Sequence, residues 1–200
     1  MTFLWEFLRS PLTVGAVAPS GRSLAKVAAA PVPTGPGDPV VVELGPGTGA
    51  FTAVIQRRLA GRGRHIAVEL NDRFAARLAL AHPGVDVARA DARDLRAVLA
   101  ERGLPGADVV VSGLPWAAFS PHDQRDVLHA VTSVLHADGV FTTFAYVHAR
   151  WTTPARRLSR SLHTRFDEVV VGRTVWGNLP PALVYHCRRP VPAPVPAPAA

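Results

Sequence analysis

The stretch that most constrains the fold runs from Val40 to Thr52 and reads VVVELGPGTGAFT. Its valines are typical of a buried β-strand. Three closely spaced glycines follow, which allow a tight turn and let the backbone approach a ligand. The next residues predict the start of a helix, whose N-terminus favours negatively charged ligand groups. The stretch therefore predicts a strand, a ligand-binding loop and a helix in succession.

Strand and helix patterns alternate along most of the remaining chain. We predict strands at 40–44, 65–69, 85–88, 108–112, 140–145, 167–172 and 182–187. Repeated strand–helix units indicate an α/β fold, with a parallel sheet covered by helices on both faces. No clear helix separates the last two strands, so we expect an antiparallel hairpin at the sheet edge.

The chain of 200 residues is long enough for one domain with a sizeable core. We place that domain at 31–188. A helical segment at 1–30 precedes it, with Ser20 as the expected N-cap of a helix that carries Leu24. The Pro/Ala-rich residues 189–200 predict a disordered tail.

The composition favours a cytoplasmic protein. The single Cys187 cannot form an internal disulfide, and no apolar run is long enough to span a bilayer. Glu6 and Arg9 interrupt the apolar N-terminus, which argues against a secretory signal. Because no Cys/His cluster has zinc-ligand spacing, we expect no metal site.

Three acidic residues lie at the ends of the first three predicted strands. Glu43 ends the first strand, Glu69 ends the second, and Asp91 follows the third. The carboxyl ends of parallel strands meet at one edge of the sheet, where such folds bind ligands. We therefore expect a pocket for an adenosine-bearing ligand, with Glu69 accepting from the ribose hydroxyls and Asp91 from the adenine amine.

The glycine loop by itself leaves two ligands open. Gly45-x-Gly47-x-x-Ala50 also fits the dinucleotide fingerprint, with Glu69 as its ribose-binding acid. Glu43 favours another ligand, because a carboxylate before the loop would repel a pyrophosphate and attract the ammonium and sulfonium of S-adenosylmethionine. We predict that this cofactor contacts Glu43, Gly45, Gly47, Thr48, Gly49, Glu69, Leu70, Asp91, Ala92, Ser112 and Gly113.

At these residues the chain resembles the class I S-adenosylmethionine-dependent methyltransferases, over about 40–188. The resemblance implies a three-layer αβα, Rossmann-like fold. Its seven-stranded sheet would be mostly parallel with an antiparallel last strand. The resemblance also implies that the methyl acceptor binds beside the loop after the fourth strand, which here reads Ser112-Gly113-Leu114-Pro115-Trp116.

This loop disfavours a nucleic acid as the acceptor. Ribosomal RNA adenine dimethyltransferases carry Asn-Leu-Pro-Tyr there, and the asparagine accepts a hydrogen bond from the target amine. In this chain Gly113 occupies the asparagine position. Trp116 remains able to stack on a base or enclose a cation, or to pack under the loop.

Beyond the cofactor core, the chain resembles the bacterial phospholipid N-methyltransferases, over roughly 3–188. The matching segments are 7–11, 13–21, 112–115, 144–146 and 178–182. The resemblance implies methyl transfer to the amine of phosphatidylethanolamine-type lipids. The chain departs from the pattern at Trp116, Ala117 and Val147-His148. Another small molecule, such as a secondary metabolite, is the alternative acceptor, and an RNA adenine is a weaker one.

The predicted acceptor contacts are Leu114, Pro115, Trp116, Tyr146 and Asn178. An alkyl amine is mostly protonated at neutral pH, so a residue must take or relay its proton before transfer. Tyr146 and His148 are the candidates. Asn178 orients the acceptor or caps the turn before Pro180. The sequence leaves the oligomeric state open.

The N-terminal segment and the basic charge suggest a lipid surface as partner. Phe3, Trp5, Phe7 and Leu8 are too few to span a bilayer but enough to insert into its interface. The formal net charge of +7 comes mainly from arginine, which suits anionic headgroups. We expect peripheral association with the inner membrane face; a helix that caps the core or the active site is the alternative.

Overall fold

Seven strands form one sheet in the part of the chain that the computed structural model describes, residues 21–191. The strands are β1 (Val40–Leu44), β2 (Arg64–Glu69), β3 (Asp86–Arg89), β4 (Ala107–Ser112), β5 (Leu135–Tyr146), β6 (Phe166–Val171) and β7 (Ala182–Pro190). The helices are α1 (Arg22–Ala28), α2 (Ala50–Leu59), α3 (Asp72–Ala81), α4 (Leu95–Ala100), α5 (Pro121–Val134) and α6 (Thr153–Arg165). Short 3₁₀ turns occupy Ala92–Asp94, Trp116–Ala118 and Val147–Ala149.

The sheet order is β3-β2-β1-β4-β5-β7-β6. Strands β1 to β5 are parallel, and β7 lies antiparallel between β5 and β6. This confirms the predicted Rossmann-like fold with its antiparallel last strand. The chain leaves β1 toward β2 on one side and later returns to β4 on the other. The carboxyl ends of β1 and β4 therefore flank the switch point, where open α/β sheets bind ligands.

Apolar side chains fill both faces of the sheet. Val42, Val110 and Phe141 pack under α4, α5 and α6 on one face. Val41 and Val109 pack under α1 and α2 on the other. Because both faces are covered, the central strands read as almost continuous apolar runs.

Helix α1 is part of this core. It begins after Gly21, where we expected Ser20 as the N-cap, and Gly21 provides no side-chain cap. Leu24, Ala25 and Ala28 are fully buried against α2 and the sheet. The Thr142 hydroxyl donates a 2.9 Å hydrogen bond to the Ala28 carbonyl. The predicted interfacial side chains Phe3, Trp5, Phe7 and Leu8 lie outside the described residues.

Two other boundaries differ from the sequence analysis. Strand β5, predicted at 140–145, already begins at Leu135, directly after α5 ends at Val134. Strand β7 continues to Pro190, which pairs with Phe166 of β6, so the assigned tail begins two residues too early. Residues 192–200 lie outside the description. Between residues 21 and 191, no helix is long and apolar enough to cross a membrane.

Candidate active site

The glycine loop connects β1 to α2 in a conformation that only glycine adopts readily. Gly45, Gly47 and Gly49 have φ angles of 66°, 53° and 84°, which a Cβ disfavours. Gly45 N–H donates to the Val68 carbonyl, and Gly47 N–H donates to Glu69 Oε2 at 3.1 Å. The loop is thereby fixed between β2 and the start of α2, while Thr48 stays exposed at its tip.

The loop after β4 lies directly against the glycine loop. Gly113 N–H donates to the Leu44 carbonyl at 2.8 Å. A Cβ at Gly113 would lie only 2.7 Å from Gly45 O, and a Cβ at Gly45 would lie 2.8 Å from Leu114 Cδ2. Packing therefore requires a glycine at position 113, where the ribosomal RNA adenine dimethyltransferases carry an asparagine. Any side chain at Gly113 would force the two loops apart.

Glu69 is the last residue of β2. Its side chain is buried, with Oε1 accepting from Asn71 N–H at 2.9 Å and Oε2 from Gly47 N–H. Burial raises the pKa of Glu69, the backbone hydrogen bonds oppose that effect, and the nearby Glu43 charge adds to it. The carboxylate is thus a buried acceptor, which suits hydroxyl donors.

Glu43 is fully buried on the same side of the sheet as α2. Its Oε2 accepts a 2.7 Å hydrogen bond from the Thr52 hydroxyl on α2. His65 Nε2 lies 3.2 Å from the same oxygen. Glu43 Oε1 has no hydrogen-bond partner within residues 21–191. Since an unsatisfied buried carboxylate oxygen is costly, the site fits a ligand that carries an ammonium group, as S-adenosylmethionine does.

Asp91 is held by a neighbour that the sequence analysis did not consider. Arg93 donates to Asp91 Oδ1 and Oδ2 at 3.0 and 2.6 Å, and its Nη1 lies 3.6 Å from Asp123 on α5. Burial would raise the pKa of Asp91, but the hydrogen bonds and charge of Arg93 lower it overall. Asp91 is therefore an ionised acceptor, and both of its carboxylate oxygens already accept from Arg93.

The pocket joins predicted residues to others that the sequence did not reveal. Five residues predicted for the cofactor line one cavity together with Leu114, which was predicted for the acceptor: Gly45, Glu69, Leu70, Asp91 and Ala92. Phe119 and Val127 add apolar walls, and Arg93 and Asp123 add a charged rim. Phe119 directly precedes Ser120, the N-cap of α5, and no pattern in the sequence indicates that Phe119 lines the pocket.

Trp116 lies in the core instead of in the acceptor space. It is 3% exposed, and its ring packs on Phe119 and Phe141 at centroid distances of 5.5 and 6.2 Å. Its Nε1–H donates to Ser112 Oγ at 3.1 Å, and Leu114 N–H donates to the same oxygen. Ser112 and Trp116 thus support the loop after β4 from the core side. Of the two roles considered for Trp116, this position corresponds to packing under the loop.

Tyr146 and His148 lie together where β5 ends. Their rings stack at 5.8 Å, and His148 is exposed while Tyr146 is half-buried. The Tyr146 hydroxyl is buried without a hydrogen-bond partner in the described chain. Burial raises the pKa of Tyr146, so its phenol stays protonated at physiological pH. It can donate or accept a hydrogen bond but does not act as a phenolate base.

Asn178 uses both ends of its amide within the protein. It is 2% exposed, its Oδ1 accepts from Gly21 N–H at 2.7 Å, and its Nδ2 donates to the Pro180 carbonyl at 2.6 Å. The side chain therefore orders the β6–β7 loop and fastens it to the start of α1. Of the two roles predicted for Asn178, this geometry corresponds to the turn cap.

Residues 21–191 contain no group of three or more His, Cys, Asp or Glu side chains able to hold a metal ion. Comparisons with known proteins identify the family of the chain. A family model described as a methyltransferase domain matches residues 41–139. The chain is 35% identical to the ornithine lipid N-methyltransferase of Singulisphaera acidiphila, over 93% of this chain and 94% of that protein.

Solved structures show the same fold at lower identity. Human methyltransferase-like protein 13 in complex with SAH superposes with a TM-score of 0.63 at 20% identity, over 88% of this chain and 84% of that one. An O-methyltransferase from Thermotoga maritima gives 0.62 at 15% identity, over 92% and 72%. S-adenosylmethionine is thus the cofactor, and the chain belongs to the class I S-adenosylmethionine-dependent methyltransferases.

Proposed function

We propose that the chain transfers methyl groups to the primary amine of a membrane lipid, with phosphatidylethanolamine as the acceptor. One observation carries the lipid class: the 35% identity to an ornithine lipid N-methyltransferase extends over nearly the full length of both chains. The same observation makes the ornithine headgroup the second candidate. Both headgroups present an alkyl amine at a membrane surface.

An apolar rim beside the acceptor site supports a lipid substrate. Trp151, Trp176 and Leu179 are 65%, 75% and 79% exposed. They lie in the loops after β5 and β6, at the edge of the sheet where Tyr146 ends its strand. Val147 N–H donates to the Pro181 carbonyl at 2.9 Å and joins the two loops. Large exposed apolar side chains held on fastened loops are suited to insertion into an interface.

Arginines accompany this rim. The guanidinium of Arg150 lies 4.2 Å from the ring centroid of Trp151, and that of Arg156 lies 5.8 Å away. Arginine beside tryptophan suits the boundary between anionic headgroups and acyl chains. We propose that this rim, Trp151, Trp176 and Leu179, holds the site against an anionic bilayer. The N-terminal apolar segment remains a second predicted anchor.

The reaction requires a bound cofactor, a neutral amine and an aligned approach. S-adenosylmethionine supplies an electrophilic methyl group on its sulfonium. Glu43 and Glu69 would hold the ammonium and ribose ends on either side of the glycine loop. The Tyr146 hydroxyl would hydrogen-bond the acceptor amine, and exposed His148 would take the amine proton to solvent. Alignment in a dry site accounts for much of the rate.

The test is methyl transfer from labelled S-adenosylmethionine to three sets of vesicles. All contain phosphatidylglycerol; one adds phosphatidylethanolamine, one adds ornithine lipid, and the third adds phosphatidylcholine, which has no free amine. We expect label in methylated phosphatidylethanolamine after lipid chromatography. Label only in ornithine lipid would keep the lipid class and replace the headgroup. Parallel reactions replace the vesicles with soluble ethanolamine or ornithine. Label in these soluble amines but in neither lipid would reject a lipid acceptor.

A further inference from the structure

We infer that His65 is a positioning residue for the cofactor: its Nε2 lies beside the Glu43 oxygen that Thr52 binds, so that the other Glu43 oxygen is kept for the cofactor's ammonium group. Gln56 in turn fixes the His65 ring. The proposal concerns cofactor binding and does not depend on which acceptor is methylated.

The geometry starts from one face of α2. Thr52 and Gln56 are four residues apart and therefore lie on the same side of the helix, facing β1 and β2. The Thr52 hydroxyl bonds Glu43 Oε2 on β1, and Gln56 Nε2 lies 2.9 Å from His65 Nδ1 on β2. The helix thus contacts both members of the Glu43–His65 pair.

The contact with Gln56 determines the form of the histidine ring. When the Gln56 amide donates to Nδ1, the ring proton lies on Nε2 and the ring carries no charge. Nε2 is the atom 3.2 Å from Glu43 Oε2, and both side chains are fully buried. His65 therefore contributes an N–H next to the carboxylate without cancelling its negative charge.

Two buried atoms in this group remain unsatisfied. The His65 Nε2–H lies near Oε2 but is not aligned for a hydrogen bond, and Glu43 Oε1 has no partner within the described range. Thr52 and His65 both approach Oε2, which leaves Oε1 with its full capacity as an acceptor. A cationic donor beside the glycine loop would satisfy Oε1 and balance the charge. The cofactor's ammonium has that chemistry.

The experiment compares two ligands that differ in this ammonium. S-adenosylhomocysteine carries the amino acid portion, whereas 5′-methylthioadenosine lacks it and keeps the adenosine. By calorimetry we expect His65→Leu to weaken S-adenosylhomocysteine roughly tenfold, because the Glu43 carboxylate loses the buried imidazole N–H that lies 3.2 Å from its Oε2. Binding of 5′-methylthioadenosine should change less than about twofold. His65→Gln, which keeps an N–H donor, should restore most of the loss.

Thr52→Val provides a second variant if His65→Leu does not fold, as judged by circular dichroism. It removes the other support of Oε2 and should show the same selective loss. Thr142→Val is the matched control. It also removes a buried hydroxyl, but one that donates to the Ala28 carbonyl and does not contact the glycine loop. The ratio of its affinities for the two ligands should equal that of the wild type. Equal weakening of both ligands by His65→Leu or Thr52→Val, or no weakening, would overturn the proposal.

Discussion

At the residue scale, Glu43 and Glu69 differ in the hydrogen-bond partners of their carboxylate oxygens. Glu69 already accepts two backbone N–H groups, one of them from the glycine loop. Glu43 keeps one oxygen without a partner. The sequence identified both acids from their positions near the carboxyl ends of strands. It could not reveal these partners, because they depend on side-chain positions that only the folded chain determines.

The pKa of Glu69 makes cofactor binding depend on pH. Burial raises this pKa in the free protein, whereas ribose hydroxyls that donate to the carboxylate would favour its ionised form. Binding should therefore lower the pKa and release protons, so affinity should fall as pH drops through the raised value. We expect weaker S-adenosylhomocysteine binding at about pH 5 than at about pH 7.5 in calorimetry.

Glu69→Gln is the control for that linkage. It should weaken binding by roughly 10- to 100-fold at neutral pH and should remove most of the pH dependence. A variant that retained the wild-type dependence would assign the titration to another group.

For Tyr146, activity and stability should change in opposite directions. Tyr146→Phe removes a buried hydroxyl without a protein partner, so the free energy of unfolding should stay constant or rise by up to about 1 kcal/mol. Methyl transfer should fall by about 10- to 1000-fold if the hydroxyl contacts the amine. Urea unfolding and initial rates measure both, with cofactor affinity as the control. Unaltered turnover would remove Tyr146 from the mechanism.

At the element scale, the sequence predicted the strands because a sheet covered on both faces has central strands that read as almost continuous apolar runs. The sequence did not predict which side chains come into contact in the loops at the carboxyl edge of the sheet. Trp116, Asp91 and Asn178 each sit in a loop at the carboxyl edge, and each is bound by a neighbour elsewhere in the chain or turn. Their side chains face the protein for reasons of packing that a linear pattern does not contain.

Replacing Asn178 should therefore lower the stability of the fold. Asn178→Ala leaves Gly21 N–H without its acceptor and should lower the free energy of unfolding by about 1–3 kcal/mol, measured in urea. Asn178→Asp keeps an acceptor for Gly21 and should lose less. An unchanged urea midpoint together with a raised KM for the acceptor would instead assign Asn178 to substrate binding.

At the scale of the whole molecule, the cofactor pocket and the apolar rim share one edge of the sheet. The order of βα units in the sequence was sufficient to predict this edge. The exposure of Trp151, Trp176 and Leu179 was not predictable, since apolar residues between strands are equally compatible with a buried loop.

The rim should bind anionic vesicles. Replacing both Trp176 and Leu179 by Ala should reduce co-sedimentation with phosphatidylglycerol vesicles at least about tenfold, because inserting each side chain contributes around 1.5 kcal/mol or more. Leu80→Ala is the matched control: Leu80 is 86% exposed but lies near the end of α3, which leads back to the opposite edge. Equal losses in both variants would contradict docking through the rim.

The most direct test of the account is a single-turnover transfer of labelled methyl from the pre-bound cofactor. The wild-type protein would receive phosphatidylethanolamine in mixed vesicles or the same concentration of free ethanolamine. We expect rapid labelling of the lipid, little labelling of ethanolamine, and loss of lipid labelling in Tyr146→Phe with cofactor binding intact. Equal labelling of ethanolamine, or none of the lipid while the cofactor is bound, would contradict this expectation.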